Sequence, residues 1–199
     1  HSFAQSGLDW AVVEVGMGGL SDSTNVIEPE LAVITNVALE HVDVLGPTLE
    51  SIAAHKAGVV RPGRPVLSGM AVDTVAGAVI RQRATELGSV LHLAAGLSKL
   101  GWQERNLAMA RRSLDLLGFA GHRSRCRTEP LSAADLSDAV AFAVRLPGRM
   151  ERFVGVDAAS GRRFPLVLDG AHVGFAIADL LQSLAPLTRE FRRGPARRR

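Results

Sequence analysis

Short apolar runs without polar alternation constrain this chain more than any other feature. They are Trp10–Val15 (WAVVEV) and Leu31–Thr35 (LAVIT), and Pro65–Leu67 and Ser89–Leu93 read as further short strands. Such a run suits a strand covered on both faces, as in a parallel sheet. Between the runs the period changes. Leu49, Ile52 and Ala53, then Val72, Val75, Ala76 and Val79, recur at helical spacing. Strand and helix in alternation predict an α/β fold with a doubly wound, mostly parallel sheet flanked by helices.

Open sheets of this kind bind ligands beyond the carboxyl ends of their strands. Two chemistry-bearing residues stand at such ends. Glu14 interrupts the first run just before the loop Gly16-Met17-Gly18-Gly19, and His41 follows the second run. The loop is rich in residues that tolerate positive φ and can present backbone N–H groups. Its spacing is wrong for a dinucleotide fingerprint, and no helix follows it at once.

Lys56 is the third candidate. Gly46 and Pro47 are expected to open a helix, with Pro47 at its first position, and Gly58 and Pro62 to close it. Leu49, Ile52 and Ala53 form its apolar stripe, and the next member of that stripe is Lys56. Of 23 basic residues only Lys56 and Lys99 are lysine. A lysine on an inward face of an arginine-biased chain points to a need for the amine itself, which desolvation can deprotonate. Glu14, His41 and Lys56 together make a candidate cation site.

Further along, Leu107, Ala110, Leu114 and Leu117 mark a helix entered near Gln103 and ended by Gly118. Leu131–Val144 reads as another, with Ser132 as N-cap. Pro147-Gly148-Arg149-Met150-Glu151 reads as a linker turn. Phe164–Leu168 is expected to be a new buried strand, closed by Asp169-Gly170-Ala171-His172. The helix after it carries Ile177, Leu180, Leu181 and Leu184 on one face. The expected division is residues 1–146, a central domain, and residues 147–199, a linker and an incomplete second α/β unit with a basic tail. There is no internal repeat.

Composition narrows the function classes. At 199 residues and 47% hydrophobic content, the chain can bury a sizeable core. No apolar run approaches the roughly 20 residues of a membrane span. The single cysteine, Cys126, excludes an internal disulfide and a cysteine-rich metal site. The arginine-rich tail from Arg189 is a charge run without interleaved tyrosine, the composition of a solvated end rather than a nucleic-acid surface. A cytoplasmic monomer is expected.

Five collinear stretches carry a resemblance to a known family: EVGMGGLSDSTNVI from Glu14, ITNVALEHVDVLGPTLESIAAHKAGVVRPG from Ile34, QERNLAMARRSLDLLG from Gln103, LPGRMERF from Leu146 and VLDGAH from Val167. Together they resemble the Mur ligase superfamily, most closely its folylpolyglutamate synthase/dihydrofolate synthase branch. The resemblance implies ATP-dependent joining of a carboxylate to an amine through an acyl phosphate. Folate or dihydropteroate and L-glutamate would be the substrates, and ATP and Mg2+ the cofactors.

Residue by residue, Glu14 and His41 match the family's magnesium ligands, and Lys56 matches a lysine carbamylated in many members. Asn106 matches an asparagine near the adenine. Arg149, Asp169 and His172 match nucleotide-facing positions at the start of the C-terminal domain. The family's phosphate loop, G-x-x-x-x-G-K-[ST] or close to it, is missing here, so this chain alone is expected not to turn over. Further departures are the short segment between Leu93 and Asn106, Leu20 where arginine is common, and Val173-Gly174 after His172. A peptidoglycan-type Mur ligase and a non-catalytic remnant of the same fold are the alternative readings.

Overall fold

The computed structural model describes residues 5, 7–94, 100–123, 128–136, 147–149, 151–171 and 174–192. The chain divides into two compact units, His1–Asp138 and Ala139–Arg199. The division falls a few residues before the PGRME turn.

The first unit is built on three strands, β1 (Ala32–Ile34), β2 (Val66–Ser68) and β3 (Leu91–Leu93). They lie in that order and all run parallel, with Ala32 opposite Val66 and Val66 opposite Leu91. Among the described residues they are accompanied by helices α1 (Val42–Leu45), α2 (Leu49–Ala57), α3 (Val75–Glu86) and α4 (Trp102–Phe119). Both faces of the sheet are covered. Ala32, Ile34 and Val66 pack with Ile52 and Ala53 of α2 and Ala76 and Ile80 of α3. Leu67, one residue on and so on the opposite face, packs with Met109 and Leu116 of α4. This is the expected parallel α/β sheet flanked by helices.

Local chemistry explains the helix starts. The hydroxyl of Thr48 accepts from the Ser51 N–H at 3.2 Å, and the Ser51 hydroxyl accepts from the Thr48 N–H at 3.3 Å. This reciprocal capping box starts α2 at Leu49 and leaves Pro47 outside the helix, where the sequence pattern had set it at the first position. Thr74 caps α3 in the same manner, accepting from Gly77 N–H at 3.1 Å. Ser132 begins the helical turn at 133–136; the remainder of the expected helix to Val144 lies outside the described residues.

Two expected strands are corrected. Residues 10–15 carry no regular secondary structure and join no ladder among the described residues, and Val12 is 99% exposed. An apolar run records a capacity for burial. It becomes a strand only when a neighbour takes up its N–H and C=O groups. In the second unit, Phe164–Leu168 lies in β5 (Arg163–Leu168), paired antiparallel to β4 (Glu151–Val156), with Phe153 opposite Leu166. The expected buried strand is half-exposed there, at Phe164, Leu166 and Leu168. In this two-stranded ribbon its apolar side chains are not closed off from solvent. Helix α5 (Gly174–Arg192) follows as expected. No described helix is long and apolar enough to cross a membrane.

Candidate active site

Helix α2 positions the candidate lysine. Ile52, Ala53 and Ala57 are fully buried, and the same stripe carries Lys56 inward until its side chain is 21% exposed. Its Nζ donates to Glu40 Oε1 at 2.9 Å. Glu40 belongs to the segment that leaves the carboxyl end of β1. The amine therefore faces the sheet edge where the fold binds ligands.

His41 is next to Glu40. Its backbone is left-handed, φ 50° and ψ 38°, and it is the only non-glycine residue with positive φ among the described residues. Its carbonyl accepts from the Val44 and Leu45 N–H groups, which fixes α1, while its imidazole makes no capping bond and is exposed. Strained backbone of this kind persists where the surroundings over-determine it, and it clusters at functional positions.

The glycine loop is pressed onto the end of α2. Gly18 and Gly19 have φ of 67° and 149°. A Cβ at Gly19 would lie 2.9 Å from the His55 carbonyl oxygen and 3.2 Å from that of Lys56. Leu20 N–H donates to His55 O at 2.9 Å. Gly58 has an ordinary helical φ of −60°, so its reason is room: a Cβ there would lie 2.5 Å from Leu20 Cα. The loop that follows Glu14 thus touches the turn that carries Lys56. Glu14 itself is exposed.

Asp22 holds the loop from the other side. Its carboxylate accepts from the Thr24 hydroxyl at 2.6 Å and from the N–H groups of Thr24, Met17 and Gly16 at 2.9, 3.1 and 3.0 Å. The Thr24 hydroxyl first, then these amides, lower its pKa from 3.8 to about 2. A carboxylate depressed in the folded state stabilises above its unfolded pKa, and that contribution is lost as pH falls through the folded value. The loop's anchorage is therefore complete above about pH 4 and fails toward pH 2. An NMR titration of the Gly16 and Met17 amides is expected to show a midpoint near 2; a midpoint at 3.8 would remove Asp22 as the anchor.

The other candidates are placed as follows. Asn106 is exposed in the second turn of α4. In the second unit, Arg149 lies against the turn at Asp169 and Gly170. A Cβ on Gly170 would meet Arg149 Nη1 at 2.9 Å, and Gly170 N–H donates to Gly148 O at 2.8 Å. Asp169 Oδ1 accepts from Ala171 N–H. His172 lies outside the described residues. Among the described residues no three His, Cys, Asp or Glu side chains gather as a metal-holding group. Glu40 and Asp22 were not singled out as site residues from the sequence. Asp22 had a local signal, an aspartate two residues before a threonine in a glycine-rich turn. Glu40 had none beyond adjacency to His41.

The profile of the Mur ligase middle domain matches residues 1–127. The folylpolyglutamate synthase of Lacticaseibacillus casei is 49% identical over 83 residues, 42% of this chain and 19% of that protein. The dihydrofolate synthetase of Saccharomyces cerevisiae is 32% identical over 201 residues, covering 88% of this chain and 45% of that protein. A solved FPGS–AMPPCP–folate complex superposes with a TM-score of 0.75 at 30% identity, over 94% of this chain and 49% of that one. The chain spans half or less of the length of these proteins.

Proposed function

Since this chain belongs to the Mur ligase middle-domain family, we propose that it is the nucleotide-binding part of an ATP-dependent carboxylate–amine ligase. The proposed acceptor is folate or dihydropteroate, and the amine is L-glutamate. The observation that carries this reading is the glycine loop seated on the Lys56 turn, with the Lys56–Glu40 pair at the carboxyl edge of a parallel sheet.

The donor chemistry fits a magnesium ion that arrives with a triphosphate. Magnesium keeps several waters and takes one or two carboxylates plus substrate phosphates, rather than an all-protein cage. Glu14 and His41 would hold it. Once bound, the ion would neutralise charge on the phosphoryl group under transfer. Lys56 brings a positive charge to the same edge, and Glu40 fixes where that charge sits. Carbamylation of Lys56, addition of CO2 to the neutral amine with loss of a proton, would replace the cation that now pairs with Glu40 by an anion. A cation at this edge would offset the repulsion between that anion and Glu40. Asn106 on α4, and Arg149, Asp169 and His172 in the second unit, are proposed to contact the nucleotide.

Calorimetric titration with magnesium–ATP tests the reading. Binding is expected, and Glu14→Ala is expected to weaken it at least about tenfold, the effect of losing one charge-assisted ligand. Equal affinity in the two proteins would sink the role given to Glu14.

A further inference from the structure

Arg61 lies beyond the end of α2 and belongs to none of the groups described above. Its side chain is 17% exposed, and its guanidinium is spread over three elements. Nη2 donates to both the backbone oxygen and Oδ1 of Asn25, the latter at 3.0 Å. Nη1 donates to the Gly58 carbonyl at 3.4 Å. Nε is buried and stands 3.5 Å from Glu28 Oε1, an ion-pair distance without hydrogen-bond geometry.

The contacts continue through Asn25. Its Nδ2 donates to Leu20 O at 2.8 Å, and Leu20 N–H donates to His55 O. Leu20 in turn lies where a Cβ on Gly58 would be. The path Arg61, Asn25, Leu20, His55 and Gly58 closes on itself. Inside it are the end of the glycine loop and the turn that carries Lys56.

We infer that Arg61 is a positioning residue that locks the glycine loop onto the Lys56 turn through Asn25 and Leu20. The planar fork is what the arrangement requires. One cation reaches two acceptors on Asn25 and a helix-end carbonyl in fixed directions, which an ammonium on a flexible stem cannot do. The consequence for ligand binding rests on the proposed nucleotide role of the loop; the lock itself does not.

The test is amide hydrogen exchange on the whole chain as wild type, Arg61→Ala, Arg61→Lys, Asn25→Ala and the Arg61/Asn25 double alanine variant. Either alanine is expected to speed exchange at Leu20, Asp22 and Asn25 or its replacement about tenfold, the loss of hydrogen bonds to a charged group. The amides of β2 are expected to be unchanged. The double variant should be no faster than the faster single, because the two residues act as one unit, and Arg61→Lys should fall between. Unchanged exchange at Leu20 in Arg61→Ala overturns the inference. Should that variant fail to fold, Asn25→Ala carries the same comparison.

Magnesium–ATP affinity is read on the same proteins and is expected to fall with loop protection. Loosened exchange with unchanged affinity confines Arg61 to holding the fold and overturns its positioning role. Absence of wild-type binding counts against the proposed function, and exchange alone then decides the lock.

Discussion

Ile52→Ala is expected to remove about 3–4 kcal/mol of stability, the upper part of the range for deleting a buried branched aliphatic side chain. Ile52 is 0% exposed and packs among Ala32, Ile34, Val66 and Ile80. Little around it can collapse into the space. Ala53 is already small, and the strand backbones are held in register by the ladder. Such a loss is a large share of the roughly 5–15 kcal/mol by which a domain is stable. It should appear as a lower urea midpoint with an unchanged slope. A loss under about 1 kcal/mol would mean that α2 is not fastened to the sheet through this residue. Because Lys56 is one turn further along the same stripe, the lysine's place depends on that fastening.

The second large effect is expected at Gly58. Alanine favours a helix over glycine by about 1 kcal/mol, and the backbone torsion at Gly58 is ordinary. On propensity alone Gly58→Ala would stabilise. Its methyl, however, would meet Leu20 Cα at 2.5 Å and Leu20 N at 2.8 Å. Overpacking of that kind costs about 1–3 kcal/mol. Leu20 cannot retreat without breaking its bond to His55 O, worth about another 1 kcal/mol. The crowding wins, and a net loss of about 1–3 kcal/mol is expected. Exchange at the Leu20 amide should accelerate while the β2 amides stay protected. A variant as stable as the parent would refute the close seam between loop and helix.

The sheet and its helices were legible because periodicity reports burial directly. Ile52 and Ala53 stand where the stripe placed them, and Lys56 is inward as its spacing required. The run at residues 10–15 misled because a pattern of side chains says nothing about which backbone takes up its hydrogen bonds. Phe164–Leu168 misled for a related reason. The residues are apolar, but their pairing is antiparallel in a two-stranded ribbon. Pro47 lost the first helical position to the stronger Thr48–Ser51 capping chemistry. Gly58 was read correctly as the end of the helix, yet it is glycine for the sake of Leu20 rather than for its own torsion. Arg61 was invisible for a simpler cause. In an arginine-biased chain, one more arginine carries no signal, and its partner Asn25 is 36 residues away.

The left-handed backbone at His41 restricts which residues could ever replace it. Branched side chains are shut out by sterics, and glycine fits but brings no donor atom. Asparagine and aspartate accept that torsion and also offer oxygen. Were His41 to hold the proposed ion, either replacement would exchange its nitrogen for a harder oxygen donor.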